Sequence, residues 1–393
     1  MAFDDDMLSR KFGKEVTNYF AGLPFNRVGF LRGDHTFLNA AVKHPSTSFL
    51  LFQNNGPLVK DESKLAFVSY KDVAPLVGND PFRGSEAQLI EEYNSTITRP
   101  LLVLLGLDER QKNGITYKSY SGAPYFALDV TPKGTIKEQA ESVISALEAK
   151  GLKFFHGRSH MKFSPEEAAI FAMGRAVIDW NNRNPFCSQC GQPTLSVQAG
   201  FKRACPPKDL ASAAAGSAAV ERPPCAARNT ISNVSFPRTD ASIIVAVVSN
   251  DGKRTLLGHN NRWQPWWYST LAGFCEPGES AEEATRREVY EETGVRIGRV
   301  VIHSTQQWPY PSSLMIGAIA QALPGAEEIT YHDKELGDAK WFDLAEVEEA
   351  LNLRAIPMGE PAPPHFAEGK LRVPPPTAVA HQLLRAIVNG YVQ

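Results

Sequence analysis

The sequence predicts an α+β protein of several domains, whose C-terminal domain has a mixed sheet flanked by helices. Three observations support this prediction. The 393 residues are enough for two or three domains and a sizeable core. Short apolar runs alternate with helix-like segments in both halves of the chain, and four of the five cysteines cluster between the halves. We therefore expect an N-terminal α+β domain over residues 1–163, a connecting helix and small cysteine module over 164–235, and the C-terminal domain over 236–393.

The composition is that of an ordinary globular protein and excludes several functional classes. Apolar residues make up 43% and charged residues 21% of the chain. The net charge of −2 gives no reason to expect bulk electrostatic binding to nucleic acid or to an anionic membrane. Apolar runs such as residues 243–248 are far shorter than the roughly 18 residues of a membrane span. The acidic start of the chain also does not look like a secretory signal. We therefore expect no membrane partner and no disulfides.

In the first part of the chain, apolar runs predict strands over residues 48–52, 65–70, 101–107 and 125–130, and a helix over 136–149. No motif in this part carries chemistry, and no internal repeat is recognisable. A strong helix start follows, because Ser164 can cap, Pro165 suits the first helical position and Glu167 completes a capping box. We expect this helix to run to residue 180, just before the first cysteine pair.

The C-terminal part begins with a buried strand over residues 242–248. Further strands are predicted around 256 and over 268–271, 300–306, 314–321 and 339–341, with a closing helix over 381–392. A long helix lies within this set. Ser280 and Glu283 form a second capping box, and Gly294 supplies a C-terminal stop, so this helix should span residues 281–293.

Three glutamates of this helix have a spacing that indicates metal binding. Glu288, Glu291 and Glu292 are at positions i, i+3 and i+4, so their carboxylates share one helix face and repel each other. Bound cations would relieve the repulsion, and carboxylate oxygens suit Mg²⁺ or Mn²⁺. Arg287 can orient the cluster or pair with Glu279. Three glutamates alone could also be a solvated acidic face, so the wider pattern has to decide.

The wider pattern resembles the Nudix hydrolase signature. Gly273, Glu279 and the run Arg287-Glu288-Val289-Tyr290-Glu291-Glu292-Thr293-Gly294-Val295 fill every fixed position of that box. The resemblance implies an α/β/α sandwich in which divalent metals assist the attack of water on a diphosphate. It implies metal ligands at the Ala272 carbonyl and at Glu288, Glu291 and Glu292, which are also the implied catalytic residues. We expect Glu292 to be indispensable, but the spacing does not tell which glutamate is the base.

A loop eleven residues beyond the box narrows the family further. Gln306-Gln-Trp-Pro-Tyr-Pro-Ser-Ser313 resembles the signature of NADH diphosphatases, from which it departs at Thr305, Gln307 and Tyr310. NAD(H) carries two bases, on which aromatic rings can stack. The resemblance implies substrate contacts at Phe236, Phe274, Gln306, Trp308, Pro309, Tyr310, Pro311, Ser313 and Ala380, a further metal ligand at Glu335, and a less certain contact at Arg158. As alternatives, Phe236 and Ala380 could be core residues and Glu335 a surface charge.

The cysteine cluster indicates a structural zinc site. Cys187 and Cys190 form a knuckle, and Cys205 and Cys225 would complete a tetrahedral site without an open position. The NADH diphosphatases resemble this chain in having a four-cysteine zinc ribbon before the Nudix domain. The low-complexity insert 211–219 departs from their spacing and makes Cys225 the least certain ligand. Cys275 lies at a variable position of the box and is not expected to bind metal.

Two functions remain open at this point. One is hydrolysis of NADH, and of NAD⁺ similarly, to NMNH or NMN and AMP. The alternative is removal of NAD caps from RNA 5′ ends by the same site; a non-catalytic binding protein is disfavoured by the intact box. Basic residues beside the cysteines could contact RNA or be simply solubilising: Lys202, Arg203, Lys208, Arg222 and Arg228.

The resemblance also implies up to three Mg²⁺ or Mn²⁺ per site, one Zn²⁺, and a homodimer in which Trp308 reaches the partner's site. We expect a cytoplasmic location, with a peroxisomal one as the alternative.

Overall fold

The computed structural model describes residues 16–156, 160–212, 220–228, 236–332, 335–353 and 369–390. The chain forms two compact units, Leu23–Arg238 and a second made of Met1–Gly22 with Thr239–Gln393. This division into two units is coarser than the predicted three domains, whose boundaries stay a prediction. No boundary between units falls near residue 163, because the helix that follows packs on the sheet of the first unit. The described residues 16–22 belong with the C-terminal domain, although more than 200 residues separate them from it in sequence.

The unit Leu23–Arg238 contains one large sheet, several helices and the small cysteine module. Its helices are α1 (His35–Lys43), α2 (Tyr70–Val77), α3 (Glu86–Glu91), α4 (Lys137–Glu148) and α5 (Pro165–Arg183). Its strands are β1 (Ser48–Gln53), β2 (Gly56–Asp61), β3 (Lys64–Leu65), β4 (Phe67–Val68), β5 (Leu101–Asp108), β6 (Ile115–Tyr117), β7 (Tyr120–Asp129), β8 (Lys153–Phe154), β9 (Leu195–Val197), β10 (Lys202–Ala204), β11 (Lys208–Asp209) and β12 (Val220–Glu221).

Most of the predicted elements of this unit are present. The strands predicted over 48–52, 101–107 and 125–130 correspond to β1, β5 and β7, and the predicted helix 136–149 corresponds to α4. The prediction over 65–70 was wrong as a single strand, since β3 and β4 are two short strands and α2 begins at Tyr70. The predicted N-cap at Ser164 is confirmed: its hydroxyl accepts a hydrogen bond from the Glu167 backbone at 3.3 Å, and α5 follows. The Glu167 carboxylate accepts from the Ser164 hydroxyl and the Leu65 N–H, not from the Ser164 backbone as the predicted capping box requires. Among the described residues, no helix has the length and apolar character needed to cross a bilayer.

The other unit contains a six-stranded sheet between two helical layers. Its strands are β13 (Asp240–Val248), β14 (Arg254–His259), β15 (Leu271–Phe274), β16 (Ile297–Trp308), β17 (Ser313–Ala322) and β18 (Asp338–Asp343). Its helices are α6 (Ala281–Thr293), α7 (Leu344–Asn352) and α8 (Val379–Val388). The predicted strand 268–271 is displaced to β15, and the predicted closing helix 381–392 begins and ends earlier, as α8.

The central strand β13 explains why this unit is a sandwich. Its side chains alternate between the two faces of the sheet, as the period of a strand requires. Ile243 and Val247 belong to a buried cluster that includes Val289 of α6. Ile244 and Val248 belong to another cluster, shared with α7 and α8. An apolar residue at nearly every position therefore buries both faces of β13, and the predicted α/β/α architecture is confirmed.

The two units repeat the same strand pairings, which the sequence did not reveal. In the first unit, β1 is parallel to β7 and antiparallel to β2 and β4, while β7 pairs with β5 and β2 with β8. In the other unit, β13 is parallel to β17 and antiparallel to β14 and β15, while β17 pairs with β16 and β14 with β18. Helix α2 follows β4 as α6 follows β15, but α2 has only 8 residues and lacks the glutamates of α6.

Candidate active site and zinc centre

The helix that carries the glutamates begins and ends where its sequence predicts. The Ser280 hydroxyl accepts a hydrogen bond from the Glu283 backbone at 3.2 Å, and the Glu283 carboxylate accepts one from the Ser280 backbone at 2.7 Å. Gly294 ends α6 in the left-handed conformation, with φ of 71°, and its N–H donates to the Tyr290 carbonyl. These caps set the start and end of the helix and so determine which face the three glutamates share.

The three glutamates of α6 differ in how far they are exposed, and Glu288 is influenced by a further carboxylate. Glu292 is buried, the side chain of Glu288 is 13% exposed, and that of Glu291 is 49% exposed. Burial raises the pKa of Glu288, and the negative charges of Glu291 and Glu335 raise it further, against the opposing effect of Arg287. Glu335 is itself exposed, so its role as a metal ligand stays a prediction beside the surface-charge alternative.

Arg287 is the cation that holds this acidic cluster together. Its guanidinium donates two hydrogen bonds to Glu279, at 2.7 and 2.9 Å. It also donates to Glu288 at 2.9 Å, to Glu291 at 3.0 Å and to the Phe274 carbonyl at 2.8 Å. Hydrogen bonds from Arg287 and from the Glu276 backbone lower the pKa of Glu279 to about 2. Both roles that the sequence allowed for Arg287 are therefore present together, with Glu279 serving to orient the guanidinium.

Gly273 lies directly under the Glu288 carboxylate. A β-carbon at position 273 would lie 2.0 Å from the Glu288 carboxyl carbon and 2.2 and 2.3 Å from its oxygens. Ser242 fixes the strand at this point by donating a hydrogen bond to the Gly273 carbonyl at 2.9 Å. Gly273 is thus required because the carboxylate passes over the backbone of β15, and Ala272 is the adjacent residue. A cradle of carboxylate oxygens over a strand fits hard divalent cations, which take oxygen ligands.

The predicted substrate loop is tied to the fold by Gln306. This side chain is 1% exposed, and its amide donates to the carbonyls of Tyr19 and Thr377, each at 2.9 Å. Its carbonyl oxygen accepts from the Val379 backbone at 2.9 Å. These bonds occupy both ends of the amide and leave almost none of it exposed, so a direct contact of Gln306 with substrate stays a prediction, and a positioning role fits the hydrogen bonds better. Sequence reasoning missed the contact with Tyr19, which is 287 residues away.

The other residues of the predicted loop form a compact aromatic turn. Trp308 and Tyr310 are half-buried, and their ring centroids lie 5.5 Å apart with the planes at 68°. Pro309 is buried, Pro311 is half-buried and follows a cis peptide bond, and Ser313 is buried at the start of β17.

The remaining predicted contacts are less uniform in their surroundings. Phe274 is 59% exposed, at the end of β15 beside the acidic cluster. Ala380, in the first turn of α8, is 2% exposed and belongs to a core cluster, in line with the core alternative, and its role as a substrate contact stays a prediction. Phe236 is half-buried and belongs to the other unit, so its role as a substrate contact stays a prediction. Arg158 lies outside the described residues.

The four clustered cysteines meet as a metal site would require. Their sulfur atoms all lie within 4.8 Å of one another; Cys187 and Cys225 are separated by 3.7 Å, Cys190 and Cys205 by 3.5 Å. Zn–S bonds of about 2.3 Å in a tetrahedron place sulfurs about 3.8 Å apart. Burial and the neighbouring thiols raise the pKa of Cys205 to about 12, so a cation is needed to hold four thiolates here. Cys225 is therefore part of the cluster, although most of the low-complexity insert, residues 213–219, lies outside the described residues.

The basic residues beside the cysteines are engaged inside their own unit. Salt bridges hold three of them: Lys202 to Glu86, Lys208 to Glu91, and Arg222 to the buried Asp209. Arg203 donates to Thr194 and Arg228 to the Cys205 carbonyl. These contacts tie the basic residues to their own unit, and whether they also contact RNA or only increase solubility stays open.

An α/β/α sandwich with a glutamate helix after a glycine-containing strand has the fold and site of a Nudix hydrolase. Three family models match this chain. The NUDIX domain covers residues 238–360, the NADH pyrophosphatase-like rudimentary NUDIX domain covers 46–180, and the NADH pyrophosphatase zinc ribbon domain covers 182–209. The rudimentary domain corresponds to the sheet whose pairings repeat those of the C-terminal unit.

Curated proteins are similar over nearly the whole chain. An NAD-capped RNA hydrolase of Schizosaccharomyces pombe is 34% identical over 94% of this chain and 92% of its own length. An NAD-capped RNA hydrolase of Saccharomyces cerevisiae is 31% identical over 96% of each. A mitochondrial NAD(P)H pyrophosphatase of Mus musculus is 31% identical over 87% of this chain and 84% of its own length. The chain therefore belongs to the Nudix hydrolase family, in its NADH pyrophosphatase branch. It is an enzyme, a Nudix diphosphatase.

The close approach at Gly273 predicts the effect of a single added methyl group. In Gly273→Ala, the new β-carbon displaces the Glu288 carboxylate, so we expect kcat/KM to fall about 100-fold, as misplacement by about 1 Å can cause. Steady-state kinetics and thermal unfolding would measure activity and stability. Gly33→Ala is the control, because a β-carbon there meets nothing within 4 Å. Unchanged activity of Gly273→Ala would contradict this account of the site.

The sulfur geometry predicts a metal that supports folding. In Cys187→Ser, we expect the zinc content to fall well below one ion per chain and Tm to fall by more than about 5 °C, because structural zinc contributes folding free energy. Metal analysis and thermal unfolding check this. Cys275→Ser is the control, since that cysteine is not a member of the cluster. Equal zinc content in Cys187→Ser and the unaltered protein would argue against the assigned ligands.

Proposed function

We propose that this protein hydrolyses the diphosphate bond of NADH, and of NAD⁺ similarly, to NMNH or NMN and AMP. The observation that carries the proposal is the presence, in one compact unit, of the acidic cluster on α6 and the aromatic turn at Trp308 and Tyr310. Hydrolysis of a diphosphate needs cations, which the acidic cluster can bind. The aromatic turn suits the bases of a dinucleotide, which can stack on its rings. The mouse relative named above carries the name NAD(P)H pyrophosphatase, which agrees with the proposal.

The acidic cluster is proposed to bind the cations that the reaction needs. Mg²⁺ or Mn²⁺, up to three per site, would neutralise the diphosphate and lower the pKa of the attacking water. Their proposed ligands are the Ala272 carbonyl and the carboxylates of Glu288, Glu291, Glu292 and Glu335. Arg287 keeps Glu288 and Glu291 oriented through charge-assisted hydrogen bonds, which are the stronger kind. Glu292 lies near the C-terminal end of α6, where it is buried and shielded from bulk water.

The aromatic turn is proposed to bind the nicotinamide end of the substrate. Trp308, Tyr310 and Phe274 retain accessible ring surface, and base stacking on such rings contributes about 1–3 kcal/mol per base. Pro309, Pro311 and Ser313 shape the turn between the two strands. Gln306 is proposed as a positioning residue, since its hydrogen bonds secure the strand from which the turn emerges.

A second candidate function is removal of NAD caps from RNA. The specific observation in its favour is that the two fungal relatives are named NAD-capped RNA hydrolases. The same cleavage would apply, because only the adenosine side of the substrate is extended. The basic residues around the cysteines do not support an RNA surface, since they are engaged within the unit. The candidate therefore depends on the relatives and on the shared chemistry.

A homodimer stays a proposal, as does the compartment. Strand β16 is at one end of the sheet order in its unit, and Val301 and Ile302 on it are 50% and 42% exposed. An edge strand with exposed apolar side chains suits pairing with a second copy. The expected location is cytoplasmic, with peroxisomal as the alternative.

The substrate proposal is tested with a panel of diphosphates. We expect purified protein with Mg²⁺ or Mn²⁺ to cleave NADH and NAD⁺ with higher kcat/KM than ADP-ribose or diadenosine polyphosphates, because only the dinucleotides place a nicotinamide at the aromatic turn. Product analysis should give AMP together with NMNH or NMN. NAD-capped RNA in the same panel tests the second candidate. Much faster cleavage of ADP-ribose than of NADH would refute the substrate proposal.

The site proposal is tested at Glu292. Replacing this carboxylate in Glu292→Gln removes a negative charge where cations are proposed to bind, and we expect kcat to fall at least about 100-fold. The matched control is Glu282→Gln, which removes a glutamate from the first turn of the same helix. Melting temperature should be reported for both variants. Full activity in Glu292→Gln would exclude the proposed role.

A further inference from the structure

The N-terminal segment 18–20, here called the N-terminal strap, contacts the strand that leads into the aromatic turn. It belongs to the same compact unit as the hydrolase site. Asn18 is 4% exposed, and its amide donates to the Ser304 hydroxyl and to the Thr305 carbonyl, each at 2.9 Å. The Ala21 N–H donates to the Asn18 carbonyl at 3.0 Å, which closes a tight turn. Asn18 therefore fastens a compact turn to β16 immediately before Gln306.

Tyr19 provides the second attachment through its backbone. Its carbonyl accepts a hydrogen bond from the Gln306 amide at 2.9 Å, and the same amide donates to Thr377. Gln306 thus joins three segments that are distant in sequence: the strap, β16 and the residues before α8. A buried carboxamide with these partners holds β16 at a defined position relative to the strap.

Phe20 provides the third contact, under the aromatic turn itself. Its side chain is 2% exposed, and its ring lies edge-on to Trp308, with centroids 5.8 Å apart, and to Tyr310, at 6.3 Å. Its φ of 72° is in the left-handed region, which is costly for a residue with a bulky side chain. The surrounding contacts must outweigh that cost. The three rings form a cluster in which Phe20 is the buried member and the other two remain partly accessible.

We infer that the N-terminal strap determines substrate specificity by positioning Trp308 and Tyr310 for the nicotinamide ring. Phe20 is a positioning residue, because it acts through the two rings above it. If its ring is removed, Trp308 and Tyr310 lose an edge-on neighbour and can adopt other orientations, while the hydrogen bonds of Arg287 in the acidic cluster involve no strap residue. The consequence is selective: dinucleotides should lose affinity, whereas diphosphates without a nicotinamide should not. This inference rests on the proposed function.

The test compares two substrates in one variant of the full-length protein. For Phe20→Leu, we expect KM for NADH to rise and kcat/KM for NADH to fall about tenfold, comparable to the loss of one stacking contact. We expect kcat/KM for ADP-ribose to stay within about twofold, because the acidic cluster is unchanged. Phe20→Tyr keeps a ring at this position and should retain the substrate ratio of the unaltered protein.

Two controls separate positioning from general loss of packing. Phe25→Leu removes another buried ring near the start of the chain, but Phe25 stacks on Tyr125 in the other unit. It should lower stability without changing the ratio between NADH and ADP-ribose. Asn18→Ala removes the strap's hydrogen bonds to β16 while leaving every ring in place, and it should change the ratio in the same direction as Phe20→Leu. It also provides the test if Phe20→Leu does not fold.

The outcomes are distinguishable from failure of the proposed function. If the unaltered protein does not cleave NADH, the proposed function is wrong. If it does, and Asn18→Ala and any folded Phe20→Leu protein keep the unaltered substrate ratio, the strap has no role in specificity. Equal losses for both substrates would likewise overturn the inference, because they would indicate a purely structural role.

Discussion

The arrangement of the hydrolase site depends on the repulsion among the carboxylates of α6. Burial raises the pKa of Glu288, and the negative charges of Glu291 and Glu335 add to that effect. The positive charge of Arg287 offsets part of this repulsion, since Arg287 forms ion pairs with Glu288, Glu291 and Glu279 at once. Arg287 orients the carboxylates but does not neutralise all of their negative charge. The remaining negative charge can attract divalent cations, which in turn can bind a diphosphate.

The same unit shows how the catalytic part and the substrate-selecting part are built differently. The acidic cluster is local: a single helix and the strand before it supply nearly all of it, and Gly273 allows the two to approach closely. The aromatic turn is assembled from distant segments. Gln306 and Phe20 connect it to the start of the chain and to the residues before α8. Catalysis and specificity can therefore respond separately to substitution.

The two sheets share their strand pairings, but in the described part of the first unit the helix that corresponds to α6 lacks the row of glutamates. Helix α2 occupies the place of α6, but Asp72 is the one acid among its eight residues, so it presents no carboxylates at i, i+3 and i+4. Its single acid, Asp72, is committed to the capping box with Ser69. The sequence showed no repeat because strand pairing preserves a fold with few shared side chains. The sequence also did not indicate the acidic partners of the basic residues near the cysteines, since only the structure reveals their contacts with Glu86, Glu91 and Asp209.

The sequence by itself determined the chemistry that depends on local spacing. Helical periodicity and two caps place Glu288, Glu291 and Glu292 on one face, and the cysteine spacing indicates a metal site. Only the tertiary structure decided what long-range contacts control. It made Gln306 a buried junction, placed Ala380 in the core, brought Cys225 to the other three cysteines and set Phe20 beneath Trp308 and Tyr310. The physical reason is that hydrogen-bond partners and burial depend on segments that are tens to hundreds of residues apart, which no local pattern encodes.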